Sequence, residues 1–238
     1  MKKTATITYH KSQNFGSILQ TYALQQFILS LDNNLYNDVI NIQPTTQKEL
    51  YNIFKKNNSL KNIIYNIFSV IYYKQLDTKR TKFNEFLNKN ISLTKNIEMK
   101  EDLLFFSNCY NYLISGSDQI WNVRNKDFED FYYLNWQTTA KKISYAASFG
   151  PLEIDWDKYD VYKYRQFLME YDYISTREKG SYDNVKYLAG IESEIHVDPT
   201  LLLDENEWRK LSSNVTYKKG NYILMYCLEP SKKVFIVP

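Results

Sequence analysis

Cysteine is nearly absent from this chain: 238 residues contain two, Cys109 and Cys227, far apart and without metal-ligand spacing around them. That excludes a disulfide framework and a cysteine metal site, and it suits a reducing cytoplasm. Histidine is equally scarce, with His10 and His196 alone. No His/Asp/Glu cluster has ligand spacing, so neither a metal nor a bound cofactor is expected. An excess of one charge is also missing. The formal net charge is +3, too small for a nucleic-acid footprint. No run approaches the ~20 apolar residues of a membrane span. The start, MKKTATITYHKSQ, has lysines but no apolar core segment, and no signal peptide is expected. Internal repeats and low-complexity linkers are lacking too.

What the chain does have is core-forming material, 44% hydrophobic residues and 22 tyrosines, enough for one large domain. Residues 4–9 alternate and read as a strand. The loop HKSQNFG follows, then SILQTYALQQFILSL, whose Ile18, Leu19, Tyr22, Leu24, Phe27, Ile28 and Leu31 make one apolar face at helical spacing. Strand, glycine-bearing loop and helix open a βαβ unit. Residues from about 45 to 105 are lysine-rich and amphipathic and read as a helical insertion. Basic amphipathic helices with aromatics also suit peripheral contact with an anionic membrane. From Asn111 the βα rhythm returns, with strands expected at 112–115, 142–146, 173–175 and 195–197. The fold expected is α/β, a Rossmann-like, mainly parallel sheet over residues 1–215. A last strand at 222–227 reads as the start of a second domain, 216–238, cut short at Pro238.

In a parallel sheet the carboxyl ends of the strands share one edge, where ligands bind. That edge gathers His10, Asn14 and Gly16 after the first strand, then Gly116, Ser117, Asp118 and Gln119. Later strands add Ser148, Gly150, Arg177 and Asp198. Each has a plainer reading. Asp118 serves equally as a cap for DQIWN, Asp198-Pro199 as a turn, His10 as a satisfied loop histidine, and Trp121 better as a packing anchor than as a stacking platform. Arg177 stands out, because a guanidinium forks onto phosphate or carboxylate.

In order along the chain, TYHKSQNFGSILQTYALQ, LISGSDQIWN, KKISYAASFG, YISTREKGS and VDPTLLLDENEW resemble the polysaccharide pyruvyl transferase family. The resemblance implies a GT-B-like two-domain architecture of which this chain holds the N-terminal part. It implies transfer of the enolpyruvyl unit of phosphoenolpyruvate onto a sugar as a ketal, in cell-surface polysaccharide assembly. Phosphoenolpyruvate is then the donor substrate, and a saccharide or lipid-linked oligosaccharide the acceptor. Arg177 matches the arginine of the family's Ser-x-Arg-Glu segment and is the expected donor ligand. The segment GSDQIWN, with Asn122, becomes a wall of the cleft. The family's Arg–His pair has no counterpart here, so the catalytic acid and base are expected in the second domain. Two alternatives stay open: a GT-B-type glycosyltransferase using a nucleotide sugar, and a truncated, non-catalytic saccharide-binding module.

Overall fold

A computed structural model describes residues 2–99 and 101–212. The chain divides into two units, residues 1–204 and 205–238. Strand β1 (Lys2–Ile7) leads into α1 (Phe15–Leu31) and β2 (Leu35–Val39). Four helices follow: α2 (Thr45–Tyr51), α3 (Leu60–Ile71), α4 (Tyr73–Asn90) and α5 (Asp102–Ser107). The sheet resumes with β3 (Tyr112–Ser115) and β4 (Lys141–Ala147), then α6 (Val161–Met169), β5 (Tyr173–Thr176), α7 (Lys179–Ala189) and β6 (Glu194–Ile195). In the second unit the described part is α8 (Glu205–Leu211) with its flanking residue. The expected strand at 222–227 lies outside the described residues.

All strand pairings are parallel, and the order is β2-β1-β3-β4-β5-β6. This is an α/β, Rossmann-like sheet. From β1 the chain steps outward to β2, then returns to the other side of β1 for β3 and runs on to β6. The order therefore reverses between β1 and β3, and a crevice opens at such a reversal beyond the carboxyl ends. Central strands covered on both faces should be buried along their length. Thr4 to Ile7 and Leu113 to Ser115 are.

Strand β2 carries no apolar run and so gives no strand signal in the sequence. Beside the buried Val39, its two other buried side chains, Asn37 and Asp38, are polar and satisfied. Asn37 donates to Thr4 Oγ1 (2.7 Å) and Thr6 Oγ1 (3.1 Å). Asp38 accepts from Tyr36 Oη, Ser92 Oγ and Tyr110 Oη, each within 2.9 Å.

Trp121 is the anchor beneath the crevice. It is wholly buried, stacked on Tyr133 with ring centroids 5.2 Å apart and edge-on to Phe149 and Tyr171. This aromatic cluster fills the space between β3, β4 and α6 and holds the loop after β3 in place.

Candidate functional site

The loops after β1 and β3 meet at the reversal point. Asn14 caps α1, its Oδ1 accepting from the amides of Gly16 (2.8 Å) and Ser17 (3.3 Å). Asp118 Oδ1 accepts from the Gln119 amide at 2.8 Å, while Oδ2 accepts from Ser17 Oγ at 2.5 Å. Asp118 therefore orders its own turn and also ties β3's exit to the first turn of α1.

Arg177 follows β5 and reaches the same place. Its Nε donates to Glu178 Oε2 (3.3 Å) and its Nη1 to Asp198 Oδ2 (3.2 Å). Among the described residues Nη2 has no partner. Asp198 is oriented in turn by Thr200, whose amide and hydroxyl donate to Oδ1 at 3.0 and 2.7 Å. Asn14, Gly16, Ser17, Gln20, Asp118, Arg177, Asp198 and Thr200 together line a cleft of about 220 Å³.

Sequence reasoning from strand ends misses Gln20 and Ser17. With Asn14, the N-cap of α1, they recur every three residues into the helix, and that spacing is the signal that could have found them. Thr8 Oγ1 donates to the Ser117 carbonyl at 3.2 Å, so it can only accept from Gln20 Nε2 at 3.3 Å. That orients the amide and leaves Gln20 Oε1, buried and without a hydrogen-bond donor among the described residues, as an acceptor. A hydroxyl group satisfies such an atom.

Other expected residues stand behind the cleft or away from it. Ser117 is buried and donates to the Ala146 carbonyl at 2.8 Å. Ser148 donates to Glu178 Oε1 at 2.8 Å and so fixes the carboxylate that holds Arg177. Gln119 and Asn122 bond each other at 3.0 Å. They pack so close to Gly150 that a Cβ there would lie 2.5 Å from Asn122 Nδ2. Gly116, at φ +144°, permits the close pass of β4, since a Cβ would meet the Tyr145 carbonyl oxygen at 2.1 Å.

His10 faces a different cavity, of about 300 Å³, where the β1–α1 loop meets α2 and α4. It is buried, with Nδ1 3.1 Å from the Thr8 carbonyl and Nε2 3.5 Å from Asn41 Oδ1. Burial pushes its pKa from 6.5 down to about 4, so the ring is neutral near pH 7. Lys11, Lys48 and Arg80 line this cavity with no carboxylate among the lining residues. Burial first, and the Lys48 charge second, lower the Lys11 pKa.

Among the described residues no group of three or more His, Cys, Asp or Glu side chains is placed to hold a metal ion. No described helix is long and apolar enough to cross a membrane. No curated protein and no solved structure matches the chain. A family model does: the one described as polysaccharide pyruvyl transferase matches residues 14–238.

Proposed function

Because this chain belongs to the polysaccharide pyruvyl transferase family, we propose that its crevice serves transfer of the enolpyruvyl unit of phosphoenolpyruvate to a pair of hydroxyls on one sugar. The acceptor is a saccharide or lipid-linked oligosaccharide of cell-surface polysaccharide assembly in the cytoplasm. The observation that carries the reading is Arg177. Its guanidinium is held by Glu178 and Asp198 at the mouth of the cleft, with Nη2 uncommitted among the described residues.

In the reaction, two sugar oxygens bond to C2 of the donor while its C2–O bond to phosphate breaks and the methylene becomes a methyl. Of the two hydroxyl protons, one ends on that methyl and the other leaves with phosphate. Carbon protonation requires an acid and hydroxyl attack a base. Arg177 offers the cation that holds the donor's carboxylate or phosphate and steadies the departing charge. The polar groups around it suit the acceptor: Asp118 and Asp198 accept from hydroxyls, and so does the buried Gln20 Oε1.

Calorimetry on the full chain tests the reading. Phosphoenolpyruvate should bind and a nucleotide sugar should not compete. Arg177→Ala should weaken the donor by roughly 2–5 kcal/mol, the scale for truncating one partner of a buried charge pair and an upper range for a group partly open to water. Arg177→Lys should recover only part. Donor binding lost in Lys48→Ala but unchanged in Arg177→Ala would move the donor to the basic cavity beside His10. Displacement by a nucleotide sugar would favour the glycosyltransferase.

A further inference from the structure

Helix α3 is built inside out. An amphipathic helix on a globular domain turns its apolar stripe inward. Here the polar stripe turns inward instead. Asn62, Asn66 and Ser69, at i, i+4 and i+7, face the protein, and Ser69 is only 2% exposed. Asn66 clamps the preceding loop as a backbone strand would: its Oδ1 accepts from the Lys55 amide and its Nδ2 donates to the Lys55 carbonyl, both at 2.8 Å. Asn62 Nδ2 donates to the Lys56 carbonyl at 2.9 Å. Rotating the helix to hide its apolar side would break all of these bonds.

The apolar side therefore stays in water. Ile67 is 57% exposed, Phe68 56%, Val70 66% and Ile71 64%, with Ile63 and Ile64 beside them. An apolar face of this extent marks a contact surface. Its charge says what kind. Between residues 50 and 76 there are four lysines, 55, 56, 61 and 74, and no acidic residue. Lys56 is paired with Glu49 at 2.6 Å, whereas Lys55, Lys61 and Lys74 form no ion pair among the described residues. Tyr65, Tyr72 and Tyr73 are also exposed, the residue type favoured at a bilayer's polar boundary. A second copy meeting this face about a two-fold axis would bring lysines against lysines.

We propose that α3 lies in the surface of an anionic lipid bilayer, its isoleucines and Phe68 among the acyl chains and its lysines at the headgroups. The inference is independent of the chemistry proposed for the crevice, and it gives the chain a means of meeting acceptors carried on lipid.

The test is co-sedimentation of the full chain with phosphatidylcholine vesicles and with phosphatidylcholine–phosphatidylglycerol vesicles. Binding is expected to the mixed vesicles and to weaken with added salt. Ile67→Glu combined with Phe68→Glu should lower the partition coefficient at least about tenfold. Lys61→Glu should lower it about fivefold or more, the scale of one lysine at a charged surface. Failure to sediment with mixed vesicles, or unchanged partition of the double variant with its circular dichroism intact, overturns the proposal. So does a dimer, seen by light scattering without lipid, that the double variant dissociates, since the face would then belong to a second copy. The salt series needs no substitution and decides even where a variant perturbs the fold.

Discussion

The Ser17 hydroxyl donates to Asp118 Oδ2 at 2.5 Å, joining residues 101 positions apart. This one bond locks the first turn of α1 to the exit of β3, on the two sides of the point where the strand order reverses. Asp118 bears a conformational cost to be there, with φ at +75°, a region that non-glycine residues seldom occupy. Its carboxylate is thereby aimed across the crevice.

Removing the hydroxyl should loosen that lock. Ser17→Ala is expected to cost roughly 1.5–3 kcal/mol, the scale of a hydrogen bond to a charged group. Thermal unfolding with calorimetric enthalpy measures it. A change below about 0.5 kcal/mol, the scale of an ordinary surface substitution, would mean that the two loops are held by other contacts.

His10 should make stability depend on pH. Its folded pKa, about 4, lies below the ordinary value of 6.5 because burial disfavours the charged ring. Between those values the unfolded chain binds the extra proton and the folded one does not, so stability rises with pH across this window. The contribution is complete above pH 6.5, is lost as pH falls toward 4, and is on the order of 3 kcal/mol. Melting temperature should therefore fall on acidification in the native protein, with a smaller fall in His10→Gln. Parallel curves for the two proteins would show that the ring is not held neutral.

Much of this fold is legible because parallel strands announce themselves as short apolar runs that end in small or polar residues. The segments at 112–115, 142–146 and 173–175 fall within β3, β4 and β5 or match them. Strand β2 is not legible, since Asn37 and Asp38 are buried through hydrogen bonds that come mostly from the neighbouring strand, helix and loops. For the cleft, residue types at strand ends point to Arg177, Asp118 and Asp198. They do not separate those from Ser148, Ser117, Gln119 and Asn122, whose bonds run into the structure behind the cleft. His10 sits on the right edge of the sheet but faces a different cavity, a distinction of side-chain direction that no spacing encodes.

Two glycines should respond oppositely to alanine. Gly116→Ala would place a Cβ 2.1 Å from the Tyr145 carbonyl oxygen, which is backbone and has no room to move, at a φ of +144°. A loss above about 3 kcal/mol, or no soluble protein, is expected. Gly180 lies near the start of α7, and a Cβ added there would meet nothing within 4 Å. Gly180→Ala should stabilise by roughly 0.4–1 kcal/mol by restricting the unfolded chain. Urea unfolding of both variants provides the comparison, and a well-folded Gly116→Ala protein would contradict the close packing of β4 on the loop.

The most direct probe of the crevice is Asp198, the carboxylate that competes with any anion for Arg177. At 3.2 Å, and with the Arg177 and Asp198 side chains 26% and 28% exposed, the pair is wet enough to be worth only about 0.2–1 kcal/mol. Asp198→Asn keeps an oxygen to accept from the Thr200 amide and hydroxyl, so the turn should persist. The guanidinium, relieved of one negative neighbour, should then hold an anionic donor more tightly, by about 1.4- to 5-fold on that same scale. Arg177→Ala should lose the donor in either background, and the gain from Asp198→Asn should vanish when Arg177 is absent. Calorimetric titration of phosphoenolpyruvate into the wild type, both single variants and the double variant measures this coupling. An Asp198→Asn protein that binds the donor more weakly, with its fold intact by circular dichroism, would show that Asp198 supports the donor itself and that Arg177 is held for structure.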